Sequence, residues 1–336
     1  MSIPTTQKSL LLLQESTPYV VGERPVPRPG SKEVLVQIMA CALNPLDYRI
    51  VDPPHSRWLI KSWPYVPGHD AAGVVVEVGK DVTALKVGDR VVFEANMERP
   101  DVAACQQYAT VDADLAVISP APENLGLKLK PVWEQDGATA YAGTPAFILG
   151  GATSLGQFAI QLAKLAGHNP IITTASPHNT PLLTSLGATH VLDRSRSNES
   201  ILSELPTITG GKPLEFAFVA VPYSPEACRL GRDALAPGGA LGIVIPSPTR
   251  VPEDVANPGD GKRVGYVFGS VWLPYTRDCG VEMFKHLTGW LADGRLKPNP
   301  VEVLPNGLAG IPDGLERLKA NQVSGKKLVA RPQETA

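Results

Sequence analysis

AFILGGATSLGQFAIQLAKLAG, Ala146 to Gly167, decides the fold. Four apolar residues lead into paired glycines, and an amphipathic run follows at once. In that run Phe158, Ile160, Leu162, Ala163 and Leu165 supply apolar faces at helical spacing. A strand that turns through glycine into a helix offers a phosphate the free N–H groups of the helix N-terminus. Measured as GxGxxG from Gly151, the turn ends on Gly156 and carries Thr153 where the middle glycine would stand; Ser154 and Leu155 complete it. A tight strand–helix turn with no ligand is the other reading of the same seven residues.

Working outward, the alternation repeats. NPIITTAS, HVLD, LEFAFVAV, ALGIVIPS and VGYVFGSV are five more short, nearly continuous apolar runs, and EACRLGRDAL is a helix between two of them. Strands apolar on both faces, separated by amphipathic stretches, predict a parallel six-stranded sheet covered by helices on both sides. Before it the pattern is different. EVLVQIMACAL, DAAGVVVEVG, DRVVFEA and QQYATVD are β-branched runs divided by turns such as KVGD, Lys86 to Asp89. The 33 prolines and 31 glycines punctuate many short segments and suit an irregular β domain beside an α/β domain. After Tyr275, RDCGVEMFKHLTGWLADG predicts a helix, and a tail of short β pieces is expected to fold back onto the first domain.

The 336 residues suffice for two domains with cores of their own. A net charge of -2 gives no sign of a nucleic-acid or anionic-membrane partner. Leu10 to Leu13 is too short for a signal sequence or a membrane span and reads as an opening strand, so the expected location is cytoplasmic. Cys41, Cys105, Cys228 and Cys279 are far apart in sequence and form no CxxC, which argues against a disulfide framework or a structural zinc knuckle.

Cofactor choice is read just past the second strand of the sheet. An NAD site usually places a carboxylate there for the ribose hydroxyls. This chain has TTASPHN, Thr173 to Asn179, with none. Ser176, His178 and Asn179 offer hydrogen-bond donors to a 2′-phosphate, and Arg194 after the third strand adds charge or stacks on adenine, so NADPH is expected. Ser176 followed by Pro177 also reads as a helix N-cap, and the two roles are compatible.

VPGHDAAG, Val66 to Gly73, KVGDRV and SGKKLV join this nucleotide pattern into a recognisable whole. From about residue 8 to 332 the chain resembles the medium-chain dehydrogenase/reductase superfamily. It is most similar to the zinc-free quinone-oxidoreductase branch and, through ALNPLDYR, ASPHN, SLGATHVLD and VSGKKLVARP, to fungal trans-acting enoyl reductases. The resemblance implies an α/β fold: a Rossmann-type parallel six-stranded nucleotide domain plus a partly closed β-barrel (GroES-like) catalytic domain. The expected boundaries are 1–120 for the GroES-like β domain, 121–275 for the NADPH-binding domain and 276–336 for the returning helix and strands.

Catalytic zinc in the superfamily needs soft ligands at three points. The resemblance aligns the first with Asn44, the second with His69, and the third near Gly137 to Tyr141, where no cysteine stands. No metal is therefore expected, and His69 reads as a wall or hydrogen-bonding residue. A zinc-free NADPH fold suits reduction of a polarised alkene, with hydride added at the β-carbon and a donor held for the enolate oxygen. In the enoyl reductases an NPxDxK segment carries a lysine near the reacting groups; here Asn44, Pro45, Leu46, Asp47, Tyr48 and Arg49 put arginine in its place. Asn44, Tyr48 and Arg49 are the expected catalytic residues. Arginine stabilises an enolate but donates no proton near neutral pH, which leaves Tyr48 or water as acid. A second reading makes Asp47 and Arg49 a structural pair beneath the cofactor.

The resemblance further assigns Asp47, Ile245 and Ser324 to the cofactor, and Thr139, Tyr141, Val267, Phe268 and Gly269 to a small hydrophobic substrate, including a carrier-bound thioester of secondary metabolism. The stretch from Pro120 to Ala146 is shorter than in relatives, so much of a helix that walls their cleft is expected to be missing or rebuilt. A non-redox ligand-binding or rearrangement protein on the same fold is the reading from another class. The last nucleotide-domain strand, VGYVFGSV, predicts a homodimer by edge pairing.

Overall fold

The computed structural model describes residues 3–336 apart from 97, 115–128, 222–223, 245–250, 257–258, 268, 271 and 273. Ile245 and Phe268 lie outside the described residues. The chain opens with β1 (Thr6–Leu11), β2 (Val20–Pro25), β3 (Glu33–Ala42), α1 (Pro45–Arg49), α2 (His55–Leu59), β4 (Asp70–Val78), β5 (Arg90–Glu94) and β6 (Tyr108–Asp112). Next come β7 (Ala146–Leu149), α3 (Ser154–Leu165), β8 (Ile171–Ala175), α4 (Thr180–Leu186), β9 (His190–Asp193), α5 (Asn198–Thr209), β10 (Phe216–Val219), α6 (Pro225–Ala234), β11 (Ala240–Val244), α7 (Glu253–Ala256) and β12 (Arg263–Val267). It closes with α8 (Pro274–Ala292), β13 (Val301–Val303), α9 (Ile311–Lys319) and β14 (Lys327–Ala330).

These elements form two compact units. One comprises Met1–Ile118, Pro300–Val323 and Lys327–Ala336; the other comprises Ser119–Asn299 and Ser324–Lys326. By its contacts α8 belongs to the second unit, while β13, α9 and β14 return to the first.

The second unit holds a six-stranded sheet in the order β12-β11-β10-β7-β8-β9, all parallel. Alternate residues of each strand face opposite sides, so full burial of a strand needs cover on both. β7 shows the consequence. Phe147 and Leu149 pack with Ile201, Leu205, Cys228 and Leu230 from α5 and α6. Ala146 and Ile148 pack with Ile160 and Ala163 from α3 and with Leu183 and Leu186 from α4. Helix α5 has a plain local signal, since the Ser197 side chain caps it by accepting from Ser200 N–H and its apolar Ile201 and Leu205 fall four apart. In residues 129–145 the helical structure is one 3₁₀ turn, Gly137–Thr139.

The first unit is built on a sheet ordered β13-β14-β3-β4-β5, with β6 also paired to β3. All its pairs are antiparallel except β13 with β14. Val34, Val36, Ile38 and Cys41 of β3 share a core with Val75 of β4, Val111 of β6 and Leu328 of β14. β3 and β4 slip register twice, at Leu35/Val36 and Ile38/Ala40. Such irregularities bend a sheet and re-aim its side chains, here just before the segment that opens α1. The opening strand begins earlier than the leucine run suggests. It ends at Leu11, Leu12 bridges to Tyr65, and Leu13 is exposed, because β1 pairs as a hairpin with β2 from Thr6 onward.

Candidate functional site

In the second unit the chemistry-bearing residues gather at the carboxyl ends of the strands, where open parallel sheets bind ligands. The glycine turn is packed against the sheet. A Cβ on Gly151 would lie 2.2 Å from Thr173 Oγ1, and one on Gly156 2.2 Å from the Gly150 carbonyl oxygen. Thr153, which departs from the glycine pattern, is the N-cap of α3. Its hydroxyl accepts from Gly156 N–H at 3.0 Å and donates to the Gly150 carbonyl at 2.9 Å. Ser154 and Leu155, the first two helical residues, have no intrahelical acceptor for their N–H groups, and the Leu155 side chain is exposed. The turn therefore fits a pyrophosphate by its backbone.

Beyond β8, Ser176 precedes a 3₁₀ turn, Pro177–Asn179, but its hydroxyl makes no cap bond. It accepts instead from Arg194 Nε at 2.9 Å. His178 Nε2 and Asn179 Nδ2 converge on Ser324 Oγ at 3.2 and 3.0 Å, so the structure brings Ser324 to the ASPHN segment across 146 positions. His178, Ser324 and Arg194 are exposed, whereas Asn179 is buried and its amide is committed to that contact. Sequence reading missed one neighbour. Asp193 pairs with Ala175 across β8 and β9, which brings a carboxylate to the same level. Its Oδ1 accepts from Ser195 N–H at 2.9 Å, and that bond holds the carboxyl below its ordinary range.

The expected substrate residues are not all at this end. Val267 closes β12 and is buried. Tyr141 stacks on His168 at 4.8 Å, and His168 stacks in turn on Phe216, the first residue of β10. That places Tyr141 at the amino ends of the strands. The reason is connectivity: residues 129–145 lead straight into the amino end of β7. Thr139 is exposed in the same turn, with its hydroxyl donating to the Asp136 carbonyl.

The first unit carries a second polar arrangement, on the α1 turn and β4. Asn44 N–H donates to Asp47 Oδ2 at 2.7 Å, a capping bond that fixes the carboxylate of a residue only 2% exposed. Asp47 Oδ1 lies 2.9 Å from His69 Nδ1. Asp47, expected on the cofactor side, is thus committed to Asn44 and His69. Burial pushes the His69 pKa down, but the Asp47 charge and hydrogen bond outweigh it, Asp70 and Glu94 add to them, and the net shift is upward. His69 Nε2 is buried and has no partner among the described residues.

Asn44 is tied at both ends of its amide. Nδ2 donates to Asp70 Oδ2 at 2.8 Å, and Oδ1 accepts from Lys327 Nζ at 2.5 Å. Lys327 also lies 3.4 Å from Asp70 Oδ2 and is 17% exposed. The SGKKLV motif contains Lys327 but gave it no role in the sequence reading; its local signal is a lysine heading an otherwise apolar strand, KLVA. The expected catalytic pair behaves differently. The Arg49 guanidinium lies over the Tyr48 ring, 5.6 Å from its centroid, and Tyr48 packs on the core of the unit. Cys41 and Cys105 are buried nearby, and hydrogen bonding to Cys41 pushes the Cys105 thiol up.

Among the described residues no three His, Cys, Asp or Glu side chains are grouped to hold a metal, and no helix is long and apolar enough to cross a membrane. Residues 30–143 match the alcohol dehydrogenase GroES-like domain, and residues 154–270 match the zinc-binding dehydrogenase family. The chain is 33% identical to a dehydrogenase of Aspergillus niger, over 92% of this chain and 94% of that one. It is 31% identical to a trans-enoyl reductase of Gibberella zeae, over 98% of each. In structure it is similar to an alcohol dehydrogenase superfamily protein from Novosphingobium aromaticivorans, with TM-score 0.77, 24% identity and coverage of 96% and 98%.

Proposed function

The chain belongs to the medium-chain dehydrogenase/reductase superfamily, and we propose that within it the protein is an NADPH-dependent, zinc-free reductase of activated carbon–carbon double bonds. The observation that carries this reading is the donor set around Asn44. Alcohol oxidation in this superfamily uses a Lewis acid to polarise the oxygen. Here the Asn44 amide is held between an ammonium and a carboxylate, and His69 Nδ1 is held by Asp47. That set does not fit zinc. It leaves N–H donors as the means of polarising a carbonyl. Such donors suffice for conjugate reduction, where the charge to be stabilised is an enolate.

A bound reduced nicotinamide supplies the hydride. The chain's part is to bind the pyrophosphate at Gly151–Gly156 and to meet the adenosine end at Ser176, His178 and Arg194. NADPH is the favoured form because the Ser176 hydroxyl and the Arg194 guanidinium stand together and exposed, while Asp193 is engaged by Ser195. The substrate class is a small hydrophobic enone, quinone or enoyl thioester. The names of similar chains, trans-enoyl reductases among them, support an enoyl substrate.

The test is to follow NADPH oxidation by the purified protein with a panel of enones, quinones and enoyl thioesters, the last both free and carrier-bound. Reduction at the double bond is the expected result. Tight NADPH binding with no oxidation by any of the panel would return the non-redox reading.

A further inference from the structure

Strand register places a lysine at the α1 turn. Val329 pairs with Ala42 and Ala330 with Cys41, and Leu43 N–H donates to the Leu328 carbonyl at 2.9 Å, so the next step along β14 brings Lys327 level with Asn44. Leu328 and Ala330 enter the core of the unit, and the alternation of the strand turns Lys327 to the other face. Its stem is covered and its ammonium meets Asn44 Oδ1 and Asp70 Oδ2.

We propose that Lys327, and not Arg49, is the cationic donor for the substrate oxygen in this reductase, supplied from the far end of the chain. This rests on the reductase reading above. An ammonium has three N–H donors. The Asn44 bond takes one, and the long Asp70 contact draws on a second. The third has no protein acceptor among the described residues. Asp70 Oδ2 lies 3.4 Å from the ammonium and Asn44 fixes its direction, so the spare donor is presented without reorganisation. Arg49 is less suited, because its guanidinium lies over Tyr48.

The step balances as follows. A new C–H bond forms at the β-carbon from the hydride, and the alkene pair shifts to the bond between α-carbon and carbonyl carbon. The carbonyl pair moves to oxygen, where the Lys327 N–H donates to it. The nicotinamide is oxidised and the substrate reduced. A proton from water then bonds the α-carbon, and the oxygen returns its pair to restore the carbonyl.

The test compares Lys327→Met, Lys327→Gln and Lys327→Arg with the parent. Four quantities are read: kcat and KM, NADPH affinity, melting temperature, and affinity for cyclohexane-1,3-dione, whose enolate anion mimics the developing charge. Expected for Met and Gln is a fall in kcat of roughly 10²-fold, the usual loss of one oxyanion donor. The dione affinity should fall by at least about tenfold with little change in NADPH affinity, and Arg should recover part of both. If Met does not fold, Gln and Arg carry the comparison. A folded Gln variant with kcat and dione affinity within about twofold of the parent overturns the proposal, whatever its melting temperature. Should the parent reduce nothing in the panel, the reductase reading fails by itself. The dione titration still decides whether Lys327 binds an enolate oxygen.

Discussion

His69 Nδ1 stands 2.9 Å from Asp47 Oδ1, while its Nε2 is buried without a partner among the described residues. Burial disfavours the imidazolium, yet the Asp47 carboxylate, followed by Asp70 and Glu94, lifts the pKa above the ordinary histidine value. A raised folded-state pKa stabilises the fold fully below the unfolded value of about 6.5, and that stability is lost as pH rises through the folded value. The parent should therefore show an added fall in melting temperature as pH rises above about 6.5. The fall should be absent in His69→Gln. Equal pH slopes in the two proteins would rule out this assignment.

On the proposed reading, Ser176 and Arg194 meet the 2′-phosphate of NADPH, and the Arg194 Nε–Ser176 Oγ bond of 2.9 Å puts the two side by side. Aspartate at 176 would pair with the exposed Arg194 guanidinium and face the 2′-phosphate with a like charge. Solvent and Arg194 both screen that repulsion, so the expected shift is about tenfold in the NADPH-to-NADH ratio of dissociation constants, near 1.4 kcal/mol. An unchanged ratio after Ser176→Asp would mean that these donors do not meet the phosphate.

Gly156→Ala inserts a methyl group 2.2 Å from the Gly150 carbonyl oxygen, a backbone atom that cannot swing aside. The turn must open to admit it, at a cost of about 1–3 kcal/mol. Both the melting temperature and the NADPH affinity should fall. Loss of stability with cofactor affinity intact would separate the turn from the phosphate site.

Phe147 is fully buried between β7 and the helices α5 and α6. Phe147→Ala should destabilise the protein by about 3–5 kcal/mol, read from denaturant unfolding. A loss below about 1 kcal/mol would show that this side of the sheet collapses around the cavity.

Among the described residues β12 pairs with β11 on one side only and ends the six-stranded sheet. An edge of this kind invites pairing with a second copy, and we propose a homodimer through it. Light scattering should give twice the mass of the chain, and Val264→Pro, which removes a main-chain donor from the edge, should lower it. A monomeric parent would exclude the dimer.

The sequence alone carried the nucleotide fold, because its signals are local. AFILGG followed by an amphipathic run, and five more strands of continuous apolar character, need only side-chain periodicity to be read. β7, α3 and the remaining strands stand where those patterns lie. Tertiary structure decided the rest. Lys327 reaches Asn44 across 283 positions, and Ser324 reaches His178 across 146, because strand pairing and chain return close loops that periodicity does not encode. The same holds for Asp193, brought level with Ala175 by parallel register, and for Tyr141, sent to the amino ends of the strands by the chain's entry into β7. Sequence determines which residues can form a strand or cap a helix. Which of them then share a site depends on long-range register, and that is fixed only when the two faces of each sheet find their cores.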